Sequence, residues 1–481
     1  MSKLIVLSNR VHLPAHDHHP AGGLAVALQD ALNEIGGTWL GWNGEKINDD
    51  QPQKFDDQRY KNVDYVTCPL NEKQYRQYYC GFSNNTLWPA MHDREDLIEF
   101  EPEEFETYQD VNRLFAEQLN QIAQPEDIIW VHDYHFLSVA AYCRQFGMQN
   151  RFGFFLHIPF ANERIWKNLP VADHLIKDLC QYDVIGLQTE KDQQRCLALC
   201  RSLIKDSSKF MTNNFLELEN RVVKIECYPI GINPDSIQKA ALADESYLDD
   251  VFELQDQDPQ KTIISVDRID YSKGLIERFN AFSAFLKQYP EYHQTVTDLQ
   301  IACPCRMDIP AYEKLYNRVK AKVDEINAEF GLDNWSPINC TNETIGHEQL
   351  MQLYRQSDIC WVNSLKDGMN LVAKEYIAAQ DDRDPGVLIL SKYAGSADQM
   401  PEALIVDPNC SKSMVKALKK ALMMSKSERT ERYKELIKGL KNFDINDWRN
   451  TFLNDLRKVQ HNILMNASLK KMPIHQAPST F

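Results

Sequence analysis

Short apolar runs alternate with longer amphipathic segments along most of the 481-residue chain. Apolar runs rich in Val, Ile and Phe predict buried strands, and apolar residues at helical spacing predict helices between them. The predicted strands are LIVLS, TWLGW, DIIWVHD, FGFFLHIPF, DVIGLQT and VVKIECYPI, followed by TIISVDRID, DLQIACP, SDICWVNS, GVLILS and EALIVDP. Continuous apolar strands separated by helices indicate α/β domains with parallel sheets covered on both faces.

The alternation weakens over residues 234–260, where the chain becomes acidic and polar. This break predicts two Rossmann-like, doubly wound parallel-sheet domains facing each other across a cleft, over residues 1–235 and 236–455. We expect residues 456–481 to form a helix that crosses back to the first domain and then a flexible tail. Ligands of such domains bind beyond the carboxyl ends of the strands, which points to the cleft.

Composition narrows the function classes. The formal net charge of −16 argues against a nucleic-acid partner, because such a surface needs a basic face. No apolar stretch reaches the length of a membrane-spanning helix, and the N-terminal apolar run is too short for a signal peptide. We therefore expect a cytoplasmic protein without a membrane partner. Its twelve cysteines include no CxxC pair and are predicted to be reduced.

Polar and charged side chains follow several of the predicted strands. These residues include Arg10, His132, Asp133, His157, Arg268, Lys273, Arg306, Asp367, Asn370 and Glu375. Because the carboxyl ends of parallel strands meet at one edge, we expect these side chains to share a site. Guanidinium forks and an ammonium from four different loops suit the oxygens of roughly two phosphate groups.

The stretch VHLPAHDHHPAGGLAVAL, residues 11–28, has two readings. Gly22 and Gly23 precede a predicted helix, so they either bring backbone N–H groups close to an anion or only form a turn. The nearby histidines do not predict a metal site, because Pro14 and Pro20 exclude the helix on which they would share a face. We expect a mobile loop that closes over a ligand and contains His12, His16, His18 and His19.

Motifs of several enzyme classes are missing. The chain has no GxSxG, HExxH or GxxxxGK[ST] motif and no glycine fingerprint of a dinucleotide-binding fold. The carboxylates of Asp133, Asp367 and Glu375 leave a glycosidase pair open, and Glu375 either accepts hydrogen bonds from sugar hydroxyls or lies on a solvated helix face. Tyr79 and Trp88 belong either to the core or to a wall that contacts a sugar.

Five motifs together resemble a known family. SNR…AGGL, WVHDYH, GFFLHIPF, VDRIDYSKG and DGMNLVAKEY occur in the order found in the trehalose-6-phosphate synthases of glycosyltransferase family 20, from residue 4 to about residue 460. The resemblance implies the GT-B fold and a retaining, metal-independent glycosyltransferase that needs no cofactor. Such a transferase moves glucose from UDP-glucose to glucose 6-phosphate and gives trehalose 6-phosphate and UDP. It implies a role in trehalose biosynthesis and the stress response, and a homo-oligomer, either a homodimer or a homotetramer.

The resemblance also implies roles for individual residues. The donor would be bound by Gly22, Gly23, Arg268, Lys273, Asp367, Gly368, Met369, Asn370, Leu371, Val372 and Glu375, with Glu375 on the ribose hydroxyls. The acceptor would be bound by Arg10, Tyr79, Trp88, Asp133 and Arg306, with the two arginines at its phosphate. The catalytic residues would be Asp133, His157, Arg268, Lys273 and Asp367.

Three alternatives stay open at this point. The acceptor could be another phosphorylated molecule, such as glycerol 3-phosphate in a glucosylglycerol-phosphate synthase. The donor could carry another nucleotide, ADP or GDP. The chain could also be a non-catalytic regulatory subunit that keeps the fold, although the joint presence of Arg10, Arg268, Lys273, Asp367 and Glu375 argues against this.

Overall fold

The fold was obtained as a computed structural model, which describes residues 2–11, 13, 28–29, 32, 34–204, 209–212, 214–218, 221–242 and 261–470, with backbone alone at 209–212 and 460–470. Gly22 and Gly23 lie outside the described residues, as do the loop histidines and most of the helix predicted after them.

The first sheet has ten described strands. They are β1 Leu4–Arg10, β2 Gly37–Ile47, β3 Asp56–Tyr60, β4 Val63–Asn71, β5 Ile128–His132, β6 Arg151–Phe155, β7 Val184–Leu187, β8 Lys209–Thr212, β9 Phe215–Leu218 and β10 Arg221–Cys227. Their order is β3-β4-β2-β1-β5-β6-β7-β10-β9-β8. The central strands are parallel, whereas β3, β9 and β8 pair antiparallel at the two edges. The exposed edge strand β3, DDQRY, contains no apolar run, which is why the sequence pattern does not predict it.

The second sheet has six described strands, all parallel. They are β11 Lys261–Arg268, β12 Val296–Cys303, β13 Ile338–Thr341, β14 Ile359–Val362, β15 Val387–Ser391 and β16 Leu404–Val406, in the order β13-β12-β11-β14-β15-β16. The sequence predicts five of these strands from their buried apolar runs, because only β13 is short and half-exposed. Two doubly wound parallel-sheet units confirm the predicted fold class.

Helices connect the strands and cover the sheets. The described α-helices are Glu72–Gln74, Trp88–Met91, Pro102–Ile122, Val139–Gln145, Glu163–Asn168, Ala172–Leu179, Glu190–Leu203, Pro234–Ala241, Leu275–Gln288, Pro310–Phe330, His347–Gln356, Leu371–Ala379, Ser411–Met423, Lys426–Asn442 and Ile445–Lys470. A π-helix runs over Tyr75–Leu87, and short 3-10 turns cover Glu95–Leu97, Tyr134–Phe136, Pro290–Tyr292 and Gly395–Gln399. No helix in the described part of the chain combines the length and apolar character needed to cross a membrane.

Two predicted limits differ from the observed elements. Position 235 falls inside the helix Pro234–Ala241, whose Ile237 and Ala241 are buried in the core of the second sheet. Position 456 falls inside the helix Ile445–Lys470, which packs on the first sheet from its beginning. A sequence pattern shows where apolar strands stop, whereas the buried face of each helix decides which sheet it joins.

The two sheets have the same central topology. In the first, β1 lies between β2 and β5; in the second, β11 lies between β12 and β14. In each sheet, the strands that follow the first one are added on one side of it and later on its other side. This change of side occurs at β1 and at β11, and it opens a crevice at the carboxyl ends of the strands. These two crevices supply the residues of one shared cavity.

Candidate active site

A cavity of about 630 Å³ lies between the carboxyl ends of the two sheets. It is large enough for a ligand of nucleotide-sugar size. The structure brings the following predicted residues together in its lining: Arg10, Tyr79, Trp88, Asp133, His157, Arg268, Lys273, Arg306, Asp367, Met369, Asn370, Leu371, Val372 and Glu375. Gly368 lies directly behind this lining, where a Cβ would come within 2.1 Å of the His157 carbonyl oxygen.

Arg10, the last residue of β1, occupies one end of the cavity. Its guanidinium carbon lies 5.5 Å from the ring centroid of Trp42, and Tyr79 packs on the same indole at 5.5 Å. The backbone of Gly44 has a φ of 91°, and a Cβ there would lie 2.4 Å from the Arg10 guanidinium. Gly44 therefore leaves the space in which this cation sits.

Two cationic side chains of the second domain pack on Trp88, which belongs to the first domain. The guanidinium carbon of Arg306 lies 3.9 Å from the Trp88 ring centroid, and that of Arg268 lies 5.4 Å from it. Both guanidinium groups gain from the electron-rich face of the indole. The contact places positive charge from β11 and from the loop after β12 against a residue of the first domain.

Arg306 is held by hydrogen bonds on both sides of the cleft. Its Nη1 donates to Asp270 Oδ2 at 3.2 Å and to the Tyr312 hydroxyl at 2.5 Å, and its Nη2 donates to the Tyr134 hydroxyl at 3.1 Å. Burial works against the charge of Asp270, yet Arg306 and Arg268 keep the pKa of this carboxyl below its ordinary value. Three fixed acceptors therefore orient the Arg306 guanidinium before a ligand binds.

Asp367 lies at the centre of a charged cluster in the loop after β14. Its Oδ2 accepts from Lys273 Nζ at 2.5 Å, from Ser364 Oγ at 2.9 Å and from Asn370 Nδ2 at 3.0 Å. Burial opposes ionisation, but Lys273 and these hydrogen bonds lower the pKa of Asp367 to about 2. The carboxylate is therefore ionised at neutral pH and holds Lys273 at the cavity wall.

The helix Leu371–Ala379 begins at the cavity wall. Asn370, with a φ of 71°, accepts a hydrogen bond from the backbone N–H of Ala373 at 3.2 Å and so caps the helix. The free N–H groups of a first helical turn and its positive end favour an anion. Glu375 follows one turn later, and burial raises its pKa to about 7.

Asp133 and His157 follow β5 and β6 on the other side of the cavity. Asp133 has a φ of 73°; its N–H donates to Phe155 O at 2.8 Å, and its Oδ1 accepts from His157 N at 3.2 Å. Burial raises the pKa of Asp133 to about 6 and lowers that of His157 to about 3. The imidazole of His157 is therefore neutral at pH 7.

The arrangement suits transfer of a group that leaves with a phosphate. The guanidinium groups of Arg268 and Arg306 meet on the Trp88 indole, and Lys273 and Arg10 also line the cavity. Within the described residues, no group of three His, Cys, Asp or Glu side chains could hold a metal ion.

The family model for glycosyltransferase family 20 matches residues 6–458 of this chain. The chain belongs to glycosyltransferase family 20. A curated member of the family, the trehalose-6-phosphate synthase of Sodalis glossinidius (strain morsitans), is 40% identical over 460 residues, which are 95% of this chain and 97% of the relative.

Solved structures of this glycosyltransferase family share the fold. An alpha,alpha-trehalose-phosphate synthase (UDP-forming) from Burkholderia xenovorans in complex with glucose-6-phosphate is 38% identical, with a TM-score of 0.89 over 95% of this chain and 100% of the other. The protein from E. coli bound with UDP-2-fluoro glucose is 41% identical, with a TM-score of 0.88 over 95% and 99%. The two sheets of this chain thus form the GT-B fold expected from the motifs.

The structure adds cavity residues that the motif analysis of this glycosyltransferase left out. His92 stacks on Trp88 at 4.2 Å, and its Nδ1 donates to the Trp88 carbonyl oxygen at 2.8 Å. Its position four residues after Trp88 is a helical spacing that could have signalled this contact. Tyr134 directly follows Asp133 in WVHDYH, but only the fold shows that its hydroxyl meets Arg306.

Proposed function

We propose that this protein is an α,α-trehalose-phosphate synthase, which transfers glucose from UDP-glucose to glucose 6-phosphate with retention of configuration. The products are trehalose 6-phosphate and UDP. One observation carries the proposal: a single cavity between the two sheets is lined by four cationic side chains, those of Arg10, Arg268, Lys273 and Arg306, together with the N-terminus of the helix Leu371–Ala379. The relatives bound to glucose-6-phosphate and to UDP-2-fluoro glucose support the same pair of substrates.

The donor is assigned to the second domain. Arg268 and Lys273 bind its diphosphate beside the N-terminus of the helix Leu371–Ala379, while Gly368, Met369, Asn370, Leu371 and Val372 form the wall around it. Glu375 accepts hydrogen bonds from the ribose hydroxyls. Gly22 and Gly23, which lie outside the described residues, are assigned to the same phosphates through the motif AGGL.

The acceptor is assigned to the first domain. Arg10 and Arg306 bind the phosphate of glucose 6-phosphate, because both guanidinium groups line the cavity and their forks match phosphate oxygens. Tyr79 and Trp88 form the wall around the acceptor. Since the phosphate takes no part in bond making, its binding energy serves to place the reacting hydroxyl.

Charge develops on the departing UDP as the glycosidic bond breaks. Arg268 and Lys273 stabilise this charge, and fixed cations at a leaving group contribute roughly 10²–10³ in rate each. Asp133 and His157 flank the reacting sugars, and Asp367 holds Lys273 in place through its 2.5 Å ion pair. The acceptor attacks on the face from which UDP departs, and the leaving phosphate takes its proton, so configuration is retained.

Three further properties follow from the same assignment. We propose that the reaction needs no metal or other cofactor, because the two side-chain cations supply the charge at the leaving phosphate. Substrates with phosphate charges do not cross membranes unaided, which supports a cytoplasmic enzyme. Homodimers or homotetramers are proposed from the family, and light scattering on a sizing column measures this directly.

The decisive experiment follows UDP release from UDP-glucose with each candidate acceptor. Release with glucose 6-phosphate supports the proposal. Release with glycerol 3-phosphate alone would make the protein a glucosylglycerol-phosphate synthase, and turnover only with ADP-glucose or GDP-glucose would change the donor. No turnover with any pair would favour a regulatory subunit. Addition of EDTA should leave the rate unchanged.

Arg268→Ala tests the mechanism within this assay. Loss of the cation at the leaving phosphate should reduce kcat by roughly 10²–10³, with a small effect on the KM for glucose 6-phosphate. Arg318→Ala removes an exposed arginine further along the helix Pro310–Phe330; it is the matched control and should behave as wild type. Wild-type kcat in Arg268→Ala would contradict the mechanism.

A further inference from the structure

His132, the last residue of β5, lies next to His157, and both residues belong to the cavity lining. Its side chain is fully buried, and its Nδ1 lies 3.0 Å from His157 Nε2. His132 is the last residue of β5, and His157 lies two residues after β6, the parallel strand that pairs with β5. One of the two nitrogens must donate and the other must accept, because both cannot carry a proton in a hydrogen bond between them.

The surroundings of His132 are aromatic, and the indole Nε1–H groups of Trp130 and Trp448 are themselves buried without a hydrogen-bond partner among the described residues. The His132 ring packs against Trp130 at 4.5 Å, Phe155 at 6.3 Å and Trp448 at 6.4 Å between centroids. Burial lowers the pKa of His132 and of His157 below the ordinary value, so both rings are neutral at pH 7. Among the described residues, His132 Nε2 is buried and has no hydrogen-bond partner.

Two proton arrangements are possible for this neutral pair. If His157 donates, His132 must carry its proton on Nε2, which leaves a buried N–H without an acceptor. If His132 donates through Nδ1, its Nε2 is an unprotonated nitrogen among aromatic rings. Unpaired buried N–H donors are rarer in proteins than unpaired acceptors, so the second arrangement is favoured.

We propose that His132 is a positioning residue that donates from Nδ1 to His157 Nε2 and thereby fixes His157 as the Nδ1–H tautomer. His157 Nδ1 has no hydrogen-bond partner among the described residues, and the ring lines the cavity. The pair therefore gives the cavity a neutral N–H donor rather than an acceptor. The ligand of this donor rests on the proposed function: the N–H of His157 donates to an oxygen of the transferred sugar.

The arrangement serves the reaction in two ways. A neutral donor can bind a sugar oxygen without adding positive charge beside a sugar that becomes cationic as UDP leaves. A fixed tautomer also removes the cost of changing the proton position when substrate binds. At metal sites, removal of a partner that orients an imidazole changes activity by about 10–100-fold, and we expect an effect of the same order here.

Nuclear magnetic resonance of the ¹⁵N-histidine-labelled full-length protein tests the tautomer directly. We expect His157 to show a protonated Nδ1 and an unprotonated Nε2 at pH 7.5, and a coupling across the hydrogen bond should connect His157 Nε2 with His132 Nδ1. A His157→Gln spectrum assigns the signals. A proton on His157 Nε2 would overturn the proposal, whether or not the protein turns over any substrate.

Two substitutions separate positioning from packing. His132→Phe keeps an aromatic ring between Trp130 and Trp448 but has no N–H; kcat should fall about 10–100-fold, the KM for glucose 6-phosphate should stay within about twofold, and His157 should populate both tautomers. His132→Asn keeps an N–H near the Nδ1 position and should restore most of kcat and the single tautomer. If His132→Phe kept the wild-type kcat and the wild-type tautomer of His157, the positioning role of His132 would be refuted. If His132→Phe does not fold, the tautomer of His157 in the wild-type spectra and the kcat of His132→Asn still test the positioning role.

The same data distinguish this inference from the proposed function. Absence of turnover in the wild-type protein with UDP-glucose and glucose 6-phosphate refutes the function, while the tautomer of His157 is read in the protein alone. Turnover in the wild type with the opposite tautomer refutes the role of His132 and leaves the function in place.

Discussion

Arg306 shows how a buried cation is prepared for a phosphate. Its two terminal nitrogens already point at Asp270, Tyr312 and Tyr134, so the flat fork is oriented before binding. Arg306→Lys keeps the charge but loses this fork. We expect the KM for glucose 6-phosphate to rise about 10–100-fold, since hydrogen bonds to charged groups contribute about 1.5–3 kcal/mol, with little change in kcat. Initial rates at saturating UDP-glucose measure both. Turnover of unphosphorylated glucose is the control and should be affected far less than that of glucose 6-phosphate.

Gly44 offers a second test of the acceptor end. A Cβ at this position would lie 2.4 Å from the Arg10 guanidinium, so Gly44→Ala should displace Arg10 and raise the KM for glucose 6-phosphate. In an Arg10→Ala background the same change should have no further effect on this KM. Gly147→Ala is the matched control, because Gly147 has a similar φ of 86° but open space around its Cβ position. Equal effects of Gly44→Ala in both backgrounds would show that backbone strain alone is responsible.

The ionisation of Glu375 should make the affinity for the donor, UDP-glucose, depend on pH. Its pKa is about 7 in the buried site, and only the ionised carboxylate accepts two hydrogen bonds from ribose hydroxyls. Binding of UDP-glucose therefore releases a proton below pH 7, and affinity should rise with pH, by about tenfold between pH 6 and pH 8. Calorimetry with UDP-glucose measures this.

Two variants identify the group responsible. Glu375→Gln should bind more weakly but with no slope in this range. Asp133→Asn should keep the slope, because Asp133, whose pKa is about 6, is assigned to the reacting sugars rather than to the ribose. A slope that persists in Glu375→Gln would contradict the assignment.

At the scale of elements, the apolar runs predict most of the parallel strands but not β4 and β13. Strand β5, IIWVH, is buried along its whole length, so packing and sequence pattern agree. The π-helix Tyr75–Leu87 was not predicted, because its aromatic residues follow no regular helical or strand period. Arg10, Asp133 and Arg268 could be predicted because they follow strands, whereas Tyr79 and Trp88 were assigned only through the family resemblance. The partners of Arg306 were not predicted, since Tyr134 and Asp270 lie 172 and 36 residues away in sequence.

The helix Ile445–Lys470 packs on the first sheet and should stabilise it. Phe452 stacks on Trp130 at 4.9 Å, and the Cα atoms of Gly153 and Gly186 leave space for its ring. Phe452→Ala should lower the free energy of unfolding by about 3–5 kcal/mol, as for other buried phenylalanines. Lys458→Ala, on the exposed face of the same helix, should change it by less than about 0.5 kcal/mol. Urea denaturation followed by tryptophan fluorescence measures both, and similar values for the two variants would mean that the helix does not hold the sheet.

For the whole molecule, a few polar contacts near the cavity join the two domains. Lys366 Nζ lies 2.6 Å from Asp93 Oδ2, and the Tyr75 hydroxyl donates to Asp308 Oδ2 at 2.5 Å. One partly buried ion pair and one hydrogen bond together contribute about 2 kcal/mol, which corresponds to about a 30-fold shift between closed and open cleft. These contacts are therefore strong enough to bias domain closure and weak enough to let product leave.

The double variant Asp93→Asn/Tyr75→Phe tests this balance. The double variant removes two of the contacts that join the domains and leaves that of Arg306 with Tyr134. The balance should therefore shift toward the open cleft, and small-angle X-ray scattering should show a larger radius of gyration than in the wild type. UDP together with glucose 6-phosphate should reduce it again, because ligands held by both domains replace the lost contacts. The KM values of both substrates should rise together, since each substrate must now close the cleft. Asp407→Asn breaks an ion pair with Lys392 inside the second domain and should leave scattering and KM unchanged. An unchanged radius of gyration in the double variant would place the control of closure in the chain segments that link the domains.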